Sequence, residues 1–134
     1  MRYLLAVLTH GEHGDILAET LNSFHENVLP RPHRRWIVQD GPAALPPFDS
    51  EPWECLPVPD GPVGFCGAVD AMWAAAATCG EVDYVFWLEH DFTFERAVDL
   101  RDVALILDRH ESVAQVSLMR GPANAVEEEL GGVV

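Results

Sequence analysis

The run Tyr84-Val85-Phe86-Trp87-Leu88-Glu89-His90-Asp91 decides how the chain folds. Apolar and aromatic residues stop abruptly at an acid, a histidine and an acid. A short run of this kind, rich in aromatic and β-branched residues, predicts a fully buried strand. On extended backbone Glu89 and Asp91 point to one side and His90 to the other. Carboxylates at the carboxyl end of such a strand stand where open α/β sheets hold ligands. The pair therefore reads as a divalent-metal and phosphate site, with Asp91 as first metal ligand and Glu89 binding directly or through water. The same two acids would also serve as a turn cap and a solvated loop carboxylate.

Working outward, residues 2–8 form a second apolar run and predict the first strand, which ends in the polar loop Thr9-His10-Gly11-Glu12-His13-Gly14. Asp15 is placed to cap a helix over 16–27, with Leu17, Thr20, Leu21, Phe24 and Val28 on one face. Pro30 and Pro32 interrupt the chain. Residues 34–39 predict a second strand, closed by the turn residues Asp40-Gly41-Pro42. The proline-dense stretch 42–62 reads as an irregular loop holding a short strand at 54–58, which Pro57 confines to a sheet edge. A helix over 65–78 carries an apolar stripe of Phe65, Ala68, Val69, Met72, Trp73 and Ala76, and Gly80 would stop it. After the strand at 83–88 come a helix over 97–110, with Leu100, Val103, Ala104 and Leu107 facing inward, and a strand over 113–119. The order β-α-β-β-α-β-α-β implies an α/β domain, a mostly parallel sheet with helices on both faces and right-handed crossovers. Its carboxyl rim then gathers Thr9-His10, Asp40 and Glu89-His90-Asp91 from three strands.

Composition sets limits on function. The 134 residues include no lysine and carry a formal charge of −14, against the basic stripe that nucleic-acid binding needs. An anionic ligand would need a metal cation, a helix N-terminus or arginines to offset that field. No stretch approaches the ~20 apolar residues of a membrane span, and the apolar start is too short for a signal peptide. A soluble, cytoplasmic protein is the expectation. Cys55, Cys66 and Cys79 follow no metal spacing and are expected to be reduced. His10-x-Glu12-His13 lacks a third ligand at zinc spacing. His25, His33 and His110 read as surface residues. Trp36, Trp73 and Trp87 read as core, leaving Trp53 as the tryptophan to consider for a ligand or partner.

Four segments in order resemble inverting family 2 glycosyltransferases of the GT-A fold. They are Val7-Leu8-Thr9-His10 with the helix that follows, Trp36-Ile37-Val38-Gln39-Asp40-Gly41, the helix from Gly64 to Ala76, and the stretch from Asp83 to Asp91, where that family has its DxD motif. The resemblance covers roughly residues 3 to 120, leaving 121–134 as an acidic tail without a clear element. It implies a GT-A-like nucleotide-sugar-binding domain that uses Mn2+ or Mg2+. Thr9, His10, Asp40, Asp70 and Glu89 would hold the nucleotide, and Asp91 with Glu89 the metal. The motif here is Glu-His-Asp, and Val69 replaces an arginine that commonly meets phosphate. An acceptor-binding half and a general base are not evident, although acids of the tail such as Glu127 to Glu129 could supply the base. Exposed apolar surface where an acceptor half would pack could make a homodimer. Two other functions fit the pattern: a non-catalytic nucleotide-sugar binding or assembly protein, and a nucleotidyltransferase. The latter usually needs a glycine- and lysine- or arginine-rich phosphate loop, where Gly11-Glu12-His13-Gly14 is acidic.

Overall fold

The computed structural model describes residues 1–10, 14–41, 52–58 and 62–118. The chain divides into two compact units, Met1–Arg101 and Asp102–Val134. In order, the elements are β1 (Tyr3–Thr9), α1 (Gly14–Asn27), β2 (Val28–Leu29), β3 (Arg34–Gln39), β4 (Glu54–Pro57), α2 (Gly64–Ala77), β5 (Tyr84–Glu89), β6 (Val98–Asp99) and α3 (Leu100–Arg109). Four strands form one sheet in the order β4-β3-β1-β5, and every neighbouring pair is parallel. β2 and β6 pair separately in a second parallel sheet.

β1 is the centre. It has a strand on each side, and all seven of its residues are buried. Its alternation sends Leu4, Ala6 and Leu8 to one face, where they join Trp36, Val38 and the α2 residues Ala68, Met72 and Ala76 in one core cluster. On the other face lies α1, whose Leu17, Thr20 and Phe24 are buried. The Phe24 ring meets Phe86 of β5 and Phe94 beyond it, with centroids 5.9 and 5.7 Å away. The sheet is thus covered by a helix on each face, as the alternating element order requires.

Four expectations are corrected. The fully buried strand is β1; within β5 only Leu88 is buried. Among the described residues β5 ends the sheet, so one of its sides lacks a neighbour that would cover it. Trp73 is 43% and Phe65 52% exposed, so neither belongs to the core. α2 meets the sheet through Ala68, Met72 and Ala76 instead. Residues 113–118 form no strand. Their apolar alternation has no ladder partner among the described residues, and alternation alone does not hold a strand in water. Asp15 lies inside the first turn of α1, where its charge suits the helix dipole, rather than before it. In α3, Leu100 and Ala104 are buried as expected. The tail at 121–134 lies outside the described residues.

Ion pairs hold the amino edge. Arg34 of β3 donates from Nε to Glu54 Oε1 of β4 at 3.0 Å and also pairs through Nη2 with Oε2. The Trp36 indole donates to the same carboxylate at 3.3 Å. Arg2 bonds Asp83 through both backbone and guanidinium, at 3.0 and 3.1 Å, which fixes the start of β5 beside β1. The Arg34 hydrogen bonds hold the Glu54 carboxyl below its ordinary value. A depressed folded-state value means that this contribution is present above the ordinary glutamate range and is lost as pH falls through the folded value. In an NMR titration Glu54 is expected to titrate lower than a free glutamate, and Arg34→Met to return it to the ordinary range. In urea unfolding, Met72→Ala is expected to cost about 2–5 kcal/mol and Trp73→Ala under about 1 kcal/mol.

Candidate functional site

From β1 the chain moves outward through β3 to β4, then crosses by α2 to β5 on the other side of β1. The direction of strand addition therefore reverses between β1 and β5. In open parallel sheets ligands bind at the carboxyl edge beside such a reversal; here the segment after β5 is held against α1, on the face to which β1 leads. Thr9 is the last residue of β1, and Glu89 the last of β5, in register with Leu8. Two of the three segments singled out in the sequence thus flank the reversal, and Asp40, one residue beyond β3, stands beside them.

Asp40 is buried, and its backbone N–H donates to Thr9 O at 2.9 Å. Its carboxylate accepts from the backbone N–H of Val63 at 2.8 Å. Val63 is the residue before α2 and has no side-chain cap of its own. Asp40 therefore supplies an acceptor to a helix terminus whose first N–H groups lack intrahelical partners, and places negative charge at the favourable end of the dipole. Gly41 next to it has φ of +122°, a backbone conformation that favours glycine and turns the chain out of β3.

The segment after β5 is a turn at His90 and Asp91, so strand alternation ends at Glu89 and does not set the direction of Asp91. Val85 and Trp87 pack on the α2-side cluster, and alternation places Glu89 on that face. Asp91 is exposed, Glu89 half-buried. Among the described residues no group of three or more His, Cys, Asp or Glu side chains gathers where it could hold a metal. Asp70 is exposed on α2, six residues past Gly64 and so about 9 Å down the helix axis from its first residue. The structure brings Thr9, His10, Asp40, Glu89 and Asp91 to one edge and leaves Asp70 on the helix flank. Gly11-Glu12-His13 and Glu127 to Glu129 lie outside the described residues.

Two features were missed in the sequence. His90 packs edge-to-face against His10, with ring centroids 5.0 Å apart and planes at 88°. Its Nδ1 lies 3.4 Å from Leu8 O; a carbonyl only accepts, so Nδ1 carries the proton in this contact. The second is a polar seam on α1. Thr20 Oγ1 donates to His90 O, Ser23 Oγ accepts from Phe94 N at 3.2 Å, and Asn27 Nδ2 donates to Phe94 O at 2.9 Å. Residues 20, 23 and 27 fall on one helix face, and here that face fastens the loop following β5. Their spacing was visible, but polar residues on an otherwise apolar face gave no indication of which loop they would meet.

Comparison of the chain with family models, curated proteins and solved structures finds no match.

Asp40→Ala is expected to destabilise by about 1–3 kcal/mol, because it leaves the Val63 N–H unsatisfied, and Asp40→Asn by less, because the amide oxygen still accepts; chemical denaturation measures both. Thr20→Val is expected to speed hydrogen exchange across residues 90–94 while leaving exchange in β1 unchanged.

Proposed function

We propose that this chain is the nucleotide-binding part of a metal-dependent glycosyltransferase resembling family 2 of the GT-A fold, taking a nucleotide-diphosphate sugar as donor. The observation that carries the proposal is positional: Thr9-His10, Asp40 and Glu89 to Asp91 leave three separate parallel strands on the same edge, beside the point where strand order reverses. The four sequence segments that resemble the family map onto the elements bordering that edge.

In this proposal Thr9, His10 and Asp40 border the base and ribose, and Glu89 and Asp91 border the diphosphate. Their carboxylate oxygens suit Mn2+ or Mg2+ in kind, since these ions are bound by one or two carboxylates together with substrate phosphates. Such an ion supplies neutralisation of the diphosphate leaving group. The chain's own contribution is orientation. Asp40 ties the end of β3 to the start of α2, and Thr20 ties the His90 backbone to α1, so these segments of the carboxyl edge are held in place before a ligand arrives. Inverting displacement at the anomeric carbon needs a general base, and none is assigned among the described residues. The second reading is a nucleotide-sugar binding protein without transfer.

Calorimetric titration with UDP and GDP, with and without Mn2+, tests the proposal. The expected result is binding that tightens at least ~10-fold with Mn2+. Asp91→Ala removes that gain, and Asp70→Ala leaves it within about twofold. Absence of UDP and GDP binding at ~1 mM, or an unchanged metal dependence in Asp91→Ala, overturns it. Release of free sugar from the donor separates an enzyme from a binder.

A further inference from the structure

We infer that two copies of this chain pair antiparallel through the free edge of β5, joining their four-stranded sheets into one. This goes beyond the proposed function and does not rest on it. Among the described residues no strand lies beside β5 on the side away from β1. Tyr84 N donates to Arg2 O at 3.3 Å, so along the parallel ladder Tyr84, Phe86 and Leu88 turn their backbone groups toward β1. Val85, Trp87 and Glu89 turn theirs outward. A row of outward N–H and C=O groups is a template for another strand, and an edge left in water is blunted by charge, proline or brevity. β4, the opposite edge, follows that rule: it is four residues long and carries Glu54 and Pro57. β5 does not. It has six residues, Tyr-Val-Phe-Trp-Leu-Glu, and their one charge stands at the end.

The helix beside this edge is as poor in charge as the strand. Of the fourteen residues of α2 only Asp70 is charged, whereas the ten of α3 include Arg101, Asp102, Asp108 and Arg109. Phe65, Val69 and Trp73 follow at four-residue spacing along one flank of α2. Phe65 turns that flank toward β5, its ring centroid 6.0 Å from that of Trp87. Phe65 and Trp73 are exposed, and Val69, Val85 and Trp87 pack beside them on the same core cluster. An apolar strip of this kind marks an interaction surface. The pattern of β5 fits a second β5. When two copies meet about a two-fold axis at Trp87, Trp87 faces its own copy and Val85 faces the partner's Glu89. The outward backbone groups of the two strands then meet each other, and the lone carboxylate meets valine rather than its own copy. Each chain carries a formal charge of −14, so a surface this poor in charge lets two copies approach with little repulsion. Opposite residues of an antiparallel pair share a face, so both α2 flanks lie on one side, and Phe65, Trp73 and Trp87 of each copy close over the joint.

The test is light scattering of the full chain from ~1 μM to ~1 mM, joined to residue-resolved hydrogen exchange. The expected result is a dimer that Val85→Pro and Trp73→Lys each weaken at least ~10-fold. Val85→Pro removes an outward N–H that β5 does not use in its own sheet, a change an edge strand tolerates. Trp73→Lys puts a charge into the joint from an exposed position, so it should keep the fold and carries the test even where Val85→Pro disturbs β5. The Val85, Trp87 and Glu89 amides are expected to exchange at least ~10-fold slower in the wild-type dimer than in monomeric Trp73→Lys, with Phe86 and Leu88 protected in both. A chain that stays monomeric at ~1 mM overturns the inference. A dimer that keeps its affinity in Trp73→Lys also overturns it, by placing the contact elsewhere. Equal exchange of the three outward amides in dimer and monomer overturns it as well, since another segment or none then covers the edge.

Discussion

Parallel pairing of β1 to both β3 and β5 is the constraint from which the rest follows. A strand with neighbours on both sides and helices on both faces must be apolar throughout, and all seven residues of Tyr3–Thr9 are buried. Because the three strands run the same way, their carboxyl ends share an edge, and the polar residues that follow each are brought together by backbone geometry alone. Thr9, Asp40 and Glu89 come to one edge because each stands at or just past the end of a parallel strand.

The charge distribution gives that edge its character. Arg2 and Arg34 stand at the amino ends of β1 and β3, where they pair with Asp83 and Glu54, and Arg101 pairs with Asp99. The chain has eight arginines and no lysine. Arg2 and Arg34 pair across the sheet at the amino edge, away from the carboxyl edge, where Asp40, Glu89 and Asp91 stand with His10 and His90. An anionic diphosphate at the carboxyl edge would meet a negative field unless a cation came with it, which is why metal binding and nucleotide binding are joined in the proposal.

Much of the frame was legible because local signals agreed. The apolar runs at 2–8 and 83–88, the helix spacing at 16–27 and 65–78, and the turn residues after Gln39 each pointed to one element. What was not legible depended on neighbours. An apolar run does not say whether it is central or terminal, so β5 was expected to be buried when β1 is. Trp73 fits a helical stripe, yet the sheet takes the side of α2 that carries Ala68, Met72 and Ala76. The 113–118 stretch alternates like a strand but has no partner among the described residues. At the site, alternation was carried one residue too far. His90 and Asp91 leave the strand in a turn, and the ring that alternation pointed away from the two carboxylates meets His10 across the reversal point. The clamp from Asp40 to Val63 spans 23 residues, and no local pattern announces it.

The most direct test of the central claim is paramagnetic broadening of backbone amide signals by substoichiometric Mn2+ in the presence of UDP. The account predicts loss of signal around residues 8–10, 40–41 and 89–91, with the amino edge near Arg2, Arg34 and Asp83 unaffected. Broadening confined to the amino edge or to the exposed flank of α2, with those three segments unchanged, would contradict it.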